Sequence, residues 1–399
     1  AAPHEPPQRP RGAIGRGPRA VETPDDAIGF DGVQNTGWTP PDPSLAVGPE
    51  HVVQVTNGAL AFFEKDGTFL EQRPLEGEAG VWGDLGTLDF VFDPEALYDP
   101  HSGRFFVMAS EGLTPDSKAR LLLAVSDDEN PVGAWFTFRI DVSDVGASLF
   151  DSPNMAVDES ALYVTGDPAN GTWTVQIWAK AGLVDGSSAT RVNAIAVPTT
   201  TQSAGPPTIV GGTGAMYWVE HEEGFGDAVR LIAVRDPLET PQVDTFVLPV
   251  EPYTFPEDPP QQGTFSRPDT FDARLWSVDF AGDSLWATHH VNSTSVRARW
   301  YEIALGGWPS SGAEPTIAQW GEVLPGSGIR TYFPAIGADA DGNAMITFSR
   351  SSSSEFISMA TAMRAATDPP GTFRPMVIER INSGPYTLFG RWGDYASVR

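Results

Sequence analysis

The chain has 399 residues with no cysteine, and 52 acidic against 25 basic side chains give it a formal net charge of −27 at pH 7. Without cysteine there are no disulfides, zinc–thiolate sites or thiol catalysis, and a negative field of this size opposes nucleic acid and anionic lipid as partners. Hydrophobic residues make up 40% and charged residues 19%, Gly (41) and Pro (36) fall between short apolar runs, and no apolar run is long enough to span a membrane as a helix.

Residues 1–26 form a Pro/Gly/Arg-rich arm in which Arg9, Arg11, Arg16 and Arg19 stand against Glu5. Such a composition predicts disorder unless the acidic body or a neighbouring subunit holds the arm. The start lacks an apolar signal core and has the look of a chain just past a small-residue cleavage site, so an exported protein is expected. Residues 27–399 repeat one unit, a turn with Asp or Pro, a short apolar segment, a Gly/Asp/Glu turn and an alternating strand. Its instances are "DPSLAVGPEHVVQVTN" (42–57), "FDPEALYDPHSGRFFVMAS" (92–110), "DSPNMAVDESALYVTGD" (151–167), "GPPTIVGGTGAMYWVEH" (205–221), "RLWSVDFAGDSLWATHHV" (274–291) and "YFPAIGADADGNAMITFSR" (332–350). The starts lie about fifty to seventy residues apart, the scale of a propeller blade. Each unit holds an apolar–turn–apolar hairpin signal, cleanest in "GADADGNAMITF". Most continue into a second pair, as in "LLLAVSDDENPVGAWFTFRI" (121–140) and "TAMRAATDPPGTFRPMVI" (361–378). "SSEFISMATAMRAA" has spacing a helix would accept, but its place after a second strand predicts a third. The expected fold is all-β, a β-propeller of four-stranded blades.

Three further stretches join the run "FDGVQNTGWTPPDPSLAVGPEHVVQVTNGALAFFEKDG" (30–67) in a resemblance: "DPEALYDPHSGRFFVMAS", "AVSDDENPVGAWFTF" and the closing "RWGDY" (391–395). With its P-P-D-x-x-x-A-V-G-P opening, the chain resembles a group of secreted bacterial β-propeller proteins, most without an assigned activity. The resemblance implies a propeller and export. In that group the chain continues past R-W-G-D-Y with an Asp-Pro turn and another aromatic-rich strand, whereas this sequence stops at Arg399. Six full units precede Trp392–Val398, which reads as the first strand of a seventh. A seven-bladed plan with a short last blade is therefore expected, or one completed by N-terminal residues such as "AIGFDGV". A six-bladed ring with an added strand is the alternative.

Residues just before each first strand are the ones a propeller brings to its channel face. Arg274 ("ARLWSV"), Arg330 ("IRTYFP") and Arg391 ("GRWGDY") occupy such places, and three guanidinium forks would hold a carboxylate or sulfate. Asp42, Asp93, Asp151 and Asp394 lie at comparable positions, either as ligand-binding groups or as partners that stitch arginines between blades. The arginine set is similar to the logic of sialidases, which would add a Tyr nucleophile, Tyr332 or Tyr395, and an acid, Asp394, although no Glu is placed by a motif. The sialidase Asp-box is only approximated by Ser126, Asp128, Gly133 and Trp135, and marks a turn. His289 and His290 are adjacent and face opposite ways on a strand. His221 beside Glu222 and Glu223 reads as an exposed loop, and "DADGN" (339–343) as a hairpin turn and not a calcium loop. No cofactor is identified, and calcium is left open by the acidic surface. Most tryptophans are expected between blades, while Trp82 and Trp308, in Gly-rich loops, are expected to be exposed for stacking on sugar or to cover the channel.

The expected function is extracellular recognition of a glycan or surface polymer, by a secreted or cell-surface protein. The alternatives are a sialidase-like glycoside hydrolase or polysaccharide lyase, and a structural surface protein that self-associates through residues 1–26 or an incomplete blade.

Overall fold

In the computed structural model, the residues described are 29–86, 90–112, 116–146, 149–168, 173–197, 214–221, 225–388, 390–393 and 395–399. The basic arm at 1–26 lies outside them. The chain is all-β. A first sheet runs β1 (Ser44–Val47), β2 (His51–Thr56), β3 (Ala59–Glu64) and β4 (Phe69–Pro74); a second runs β5 (Val91–Asp99), β6 (Arg104–Glu111), β7 (Arg120–Ser126) and β8 (Trp135–Asp141). A third holds β9 (Phe150–Val157), β10 (Ala161–Pro168), β11 (Thr174–Ala179) and β12 (Arg191–Ala196). Next come β13 (Ala215–His221), β14 (Phe225–Arg235) and β15 (Gln242–Thr254), then β16 (Ser277–Ala281), β17 (Ser284–Asn292), β18 (Val296–Ala304) and β19 (Thr316–Glu322). These seven share one sheet, in which the single bridge Thr254↔Asn292 joins β15 to β17. The last sheet runs β20 (Arg330–Ala338), β21 (Ala344–Ser352), β22 (Glu355–Arg364) and β23 (Val377–Ile381). Every pairing with a resolved register is antiparallel between neighbours in sequence or across that bridge, the up-and-down meander that defines a propeller blade.

Two compact units divide these residues. The N-terminal unit comprises Gly29–Trp218, Leu231–Thr245 and Arg399; the C-terminal unit comprises Val219–Arg230 and Phe246–Val398. Within the N-terminal unit, first strands β1, β5 and β9 pack side by side, and in the C-terminal unit β16 packs on β20. The core lies between successive sheets. Phe62 of the first shares a cluster with Phe105 and Leu122 of the second, and Phe106 and Leu121 of the second share one with Val157 and Trp178 of the third. Middle strands are covered on both faces, so their sequences are continuous apolar runs such as "ALAFF" in β3 and "LLLAV" in β7. Outermost strands cover one face only. β12 accordingly alternates between partly buried and exposed along its whole length.

The first strands share a local device. A bulge interrupts β5 between Phe92 and Glu95, and another interrupts β20 between Tyr332 and Ala335. Inside these lie Asp93-Pro94 and Phe333-Pro334, with Asp93 and Phe333 in the left-handed region; Asp42, before Pro43, and Ser152, before Pro153, adopt it too. The backbone N–H set free by the bulge is captured by a side chain of the preceding meander. Asp93 donates to Asn57 Oδ1 (2.9 Å), Ser152 to Asp93 Oδ2 (2.9 Å) and Phe333 to His290 Nδ1 (3.0 Å). Three residues further on the pattern repeats: Ala96 N–H donates to Ser44 Oγ, Met155 N–H to Glu95 Oε2 and Ile336 N–H to Ser277 Oγ. First strands of adjacent blades do not form a backbone ladder with one another, so side chains satisfy their buried amides.

The expected third strand at 353–366 is β22, and "DADGN" is a hairpin turn in which Asp339 Oδ1 accepts from the N–H groups of Asp341 and Asn343. The strand expected at Trp392–Val398 is not formed: among the described residues of that stretch none is in a strand. Val398 instead packs against β20 at Gly337, where a Cβ would lie 2.8 Å from Val398 Cγ1.

Candidate functional site

In the N-terminal unit the aspartates of the first-strand starts are linked in a chain that begins at Asn57. Asn57, which follows β2, donates from Nδ2 to Asp42 Oδ2 (2.5 Å) and to the Pro40 carbonyl (3.1 Å), while its Oδ1 takes the Asp93 N–H. Asp42 is buried, Asp93 half-buried and Asp151 exposed, so the set forms a gradient from core to solvent. Burial raises the Asp93 pKa well above the usual carboxylate range, and the charges of Asp42 and Asp151 push it further the same way; a hydrogen bond with Asp151 keeps the proton in place. The Asp93 carboxyl thus holds its proton more tightly than an ordinary aspartate does. Glu95, two residues on, is also raised, to about 7; burial is the cause, opposed by Arg399, whose Nη2 is 3.9 Å from Glu95 Oε1, and by the Met155 N–H. An aromatic row adjoins Asn57. Trp38 lies against Gly58, with its ring 5.3 Å from that of Phe90, which in turn lies 5.0 Å from Phe92.

In the C-terminal unit the three arginines have different surroundings. Arg274 is clamped by Asp272, with Nε at 2.9 Å and Nη2 at 2.7 Å from its carboxylate oxygens, and lies over Trp276. Arg391 lies over Phe271, 4.8 Å from the ring centroid. Arg330 faces Arg297, a like charge. Among the described residues, the carboxylate that holds Arg274 is Asp272. Phe271, Trp276, Phe333 and His290 form a contiguous aromatic cluster beneath the first two arginines. His290 receives the Phe333 N–H on Nδ1 and donates from Nε2 to the Thr270 carbonyl; His289 bonds the Ala273 carbonyl and the Tyr301 hydroxyl. Burial lowers His290 to about 4 and His289 well below its ordinary value, so both are neutral structural groups.

Several expectations are corrected here. Tyr332 is fully buried, its hydroxyl hydrogen-bonds Ser351 Oγ (3.0 Å), and burial raises its pKa, so it is a core residue and not an exposed one. His221 is 3% exposed and ends β13, whereas a loop was expected, and burial lowers it to about 4; Glu222 and Glu223 lie outside the described residues. Trp82 and Trp308 are buried at 0% and 8% exposure, so neither offers a free stacking face. Asp394 lies outside the described residues, and Tyr395 is half-buried. The Asp-box-like stretch is a turn closed by Asp127 N–H on the Ala134 carbonyl, with Trp135 Nε1 on the Pro131 carbonyl. Among the described residues, no group of three or more His, Asp or Glu is arranged to hold a metal ion.

Sequence reasoning missed Asn57, Glu95 and Trp38. It also missed an offset: the residue equivalent to Asp42 and Asp93 at the left-handed position is Ser152, while Asp151 precedes it. The shared x-Pro step carried that signal.

The site thus belongs to an all-β protein of propeller-type blades. No protein-family model matches the chain, and no curated protein matches it in sequence. Solved structures similar to it include an exo-β-1,3-galactanase from Phanerochaete chrysosporium with galactose, 11% identical, covering 88% of this chain and 92% of that one at a TM-score of 0.39. An exo-β-1,3-galactanase from Clostridium thermocellum is 10% identical, with 88% and 80% covered and a TM-score of 0.36. The SapL1 lectin in complex with α-methyl fucoside is 10% identical, with 88% and 98% covered and a TM-score of 0.42.

Proposed function

We propose that the protein binds a glycan at the first-strand starts of its N-terminal unit, with Asp42, Asp93, Asp151 and Asn57 as the polar set and Trp38 as the stacking face. The observation that carries this reading is the chain of contacts that runs from Asn57 to Asp42 and to the Asp93 N–H, and from Asp93 on to Asp151. Sugar hydroxyls both donate and accept, and a site that combines aspartate side chains with an amide beside an aromatic ring answers both needs. The location that goes with it is secreted or cell-surface, as the sequence resemblance implies.

A glycan array followed by calorimetry on the hits tests the proposal. Asp151→Asn and Trp38→Ala should each weaken binding about tenfold, since a hydrogen bond to a charged group or a lost aromatic face costs about 1.5 kcal/mol or more. An array without hits, or variants that bind like the parent, would contradict it. Glu95 favours a second reading, a glycoside hydrolase: a carboxyl with a pKa of about 7 retains enough proton at neutral pH to serve as a general acid. On that reading the parent releases reducing sugar from its array hits and Glu95→Gln abolishes the release. Binding without any turnover would leave recognition alone.

A further inference from the structure

Arg297, Arg330 and Ser295 of the C-terminal unit each have a side-chain donor without an acceptor among the described residues. Arg330 opens β20 and Arg297 is the second residue of β18, and the two strands are held in register there: Ala298 N–H donates to Thr331 Oγ1 (2.8 Å) and Arg297 Nη1 to the Ile329 carbonyl (3.2 Å). Arg297 Nε is buried without a hydrogen-bond partner. Ser295, two residues before Arg297, likewise has a buried hydroxyl without one. Arg330 makes no side-chain hydrogen bond or ion pair with any described residue, and its guanidinium is felt by Arg297 as a repulsive neighbour. Glu322, the carboxylate whose charge favours Arg297, is already committed. Its Oε1 accepts from Arg299 Nε (3.0 Å) and Nη2 (2.6 Å), and its Oε2 from Ser293 Oγ (3.0 Å). Burial and the Arg330 charge both weaken the hold of Arg297 on its proton, and the attraction of Glu322 does not offset them.

Arg297 Nη1 is held on the carbonyl of the residue before Arg330, and two cations drawn this near are unfavourable unless an anion offsets them. We propose that Arg297, Arg330 and Ser295 form an anion site that takes a small oxyanion, of the sulfate, phosphate or carboxylate kind. Arg297 Nε and the Arg330 fork would supply charge-assisted donors and the Ser295 hydroxyl a neutral one. The site is separate in composition from the carboxyl cluster and does not depend on the glycan reading.

The test is a pair of measurements on the whole chain at fixed ionic strength set with chloride: calorimetric titration with inorganic sulfate, inorganic phosphate and acetate, and thermal melts with and without each. The parent should bind at least one of the three and melt higher in its presence, and the strongest arm identifies the carrier. Arg330→Gln should weaken that binding about tenfold or more. In anion-free, low-salt buffer the same variant should melt above the parent, because it removes the repulsion on Arg297. That sign separates an anion site from a structural role, for which truncation would lower the melt. Ser295→Ala should weaken binding without lowering the anion-free melt. No binding in any arm, an equal response of parent and Arg330→Gln, or an anion-free melt of Arg330→Gln below the parent would overturn the proposal.

Discussion

At Glu95 burial competes with two favourable partners, Arg399 and the Met155 N–H, and burial wins. Its folded pKa of about 7 exceeds the ordinary 4.5. The folded chain therefore keeps this proton to higher pH than the unfolded chain does. The resulting cost is absent below pH 4.5, grows between 4.5 and 7, and is complete above 7; at 1.36 kcal/mol per unit it amounts to about 3 kcal/mol. Glu95→Gln retains an acceptor for Met155, so urea melts should show a gain approaching that size at pH 8 and almost none at pH 4. An equal gain at both would refute the assignment of a buried titrating carboxyl. Lys180 and Asp99 form an ion pair at 3.0 Å with both side chains buried. Asp99 also accepts from the His101 N–H and the Ser102 hydroxyl, so its lone pairs are filled. Lys180→Met should cost about 3–5 kcal/mol by leaving Asp99 buried and unpaired, and a denaturant midpoint shift of under a third of that would show the pair to be dispensable.

Within the first strands, a left-handed residue before proline recurs at Asp42, Asp93, Ser152 and Phe333, a backbone state that costs about 1–3 kcal/mol for a residue with a side chain. It persists because the freed amide is captured by the neighbouring meander. At Ser152 the N–H does the bonding, so the side chain can be varied without breaking the tie. Ser152→Gly should leave stability within about 1 kcal/mol of the parent, relief of strain offsetting the entropy of glycine. Ser152→Val, β-branched at positive φ, should lose about 2 kcal/mol; equal melts for the two variants would mean that the left-handed state is absent. The strands themselves were legible in sequence, since covered strands read as apolar runs and outer ones alternate. The turn with Asp and Pro was legible as punctuation. Its function as a tie was not, because Asn57 and His290 reach their partners from another repeat, 36 and 43 residues away. The one-residue offset between Asp151 and Ser152 was hidden for the same reason: register in a bulge follows the partner strand and not the local motif.

Across the whole chain, the two units are expected to answer pH with opposite signs. In the N-terminal unit Asp93 and Glu95 have raised pKa values, so stability falls as pH rises through 4.5 to 7 and beyond. In the C-terminal unit His221 and His290, lowered to about 4, and His289, lower than its ordinary value, stay neutral when folded; the unfolded chain takes up protons first, so stability falls as pH drops from 6.5 towards 4. Hydrogen exchange, corrected for intrinsic rates, should show β17 losing protection over that acid range while β5 gains it, and a common direction for both would exclude this assignment. Sequence misjudged His221, Trp82 and Trp308 because a Gly- or Glu-rich neighbourhood reads as exposed, yet packing against another part of the fold buries all three. The Asp and Pro punctuation of the first-strand starts was legible because the repeat aligns it to within a residue; the proton that Asp93 keeps was not, because it follows from burial first and then from the charges of Asp42 and Asp151. That proton is the centre of the functional account, and carboxyl-carbon NMR of aspartate-labelled protein measures it directly. One resonance should titrate far above the ordinary aspartate range, vanish in Asp93→Asn and move when a glycan hit is added. If every aspartate titrates below about pH 5, the cluster holds no proton at neutral pH and the proposed site loses its basis.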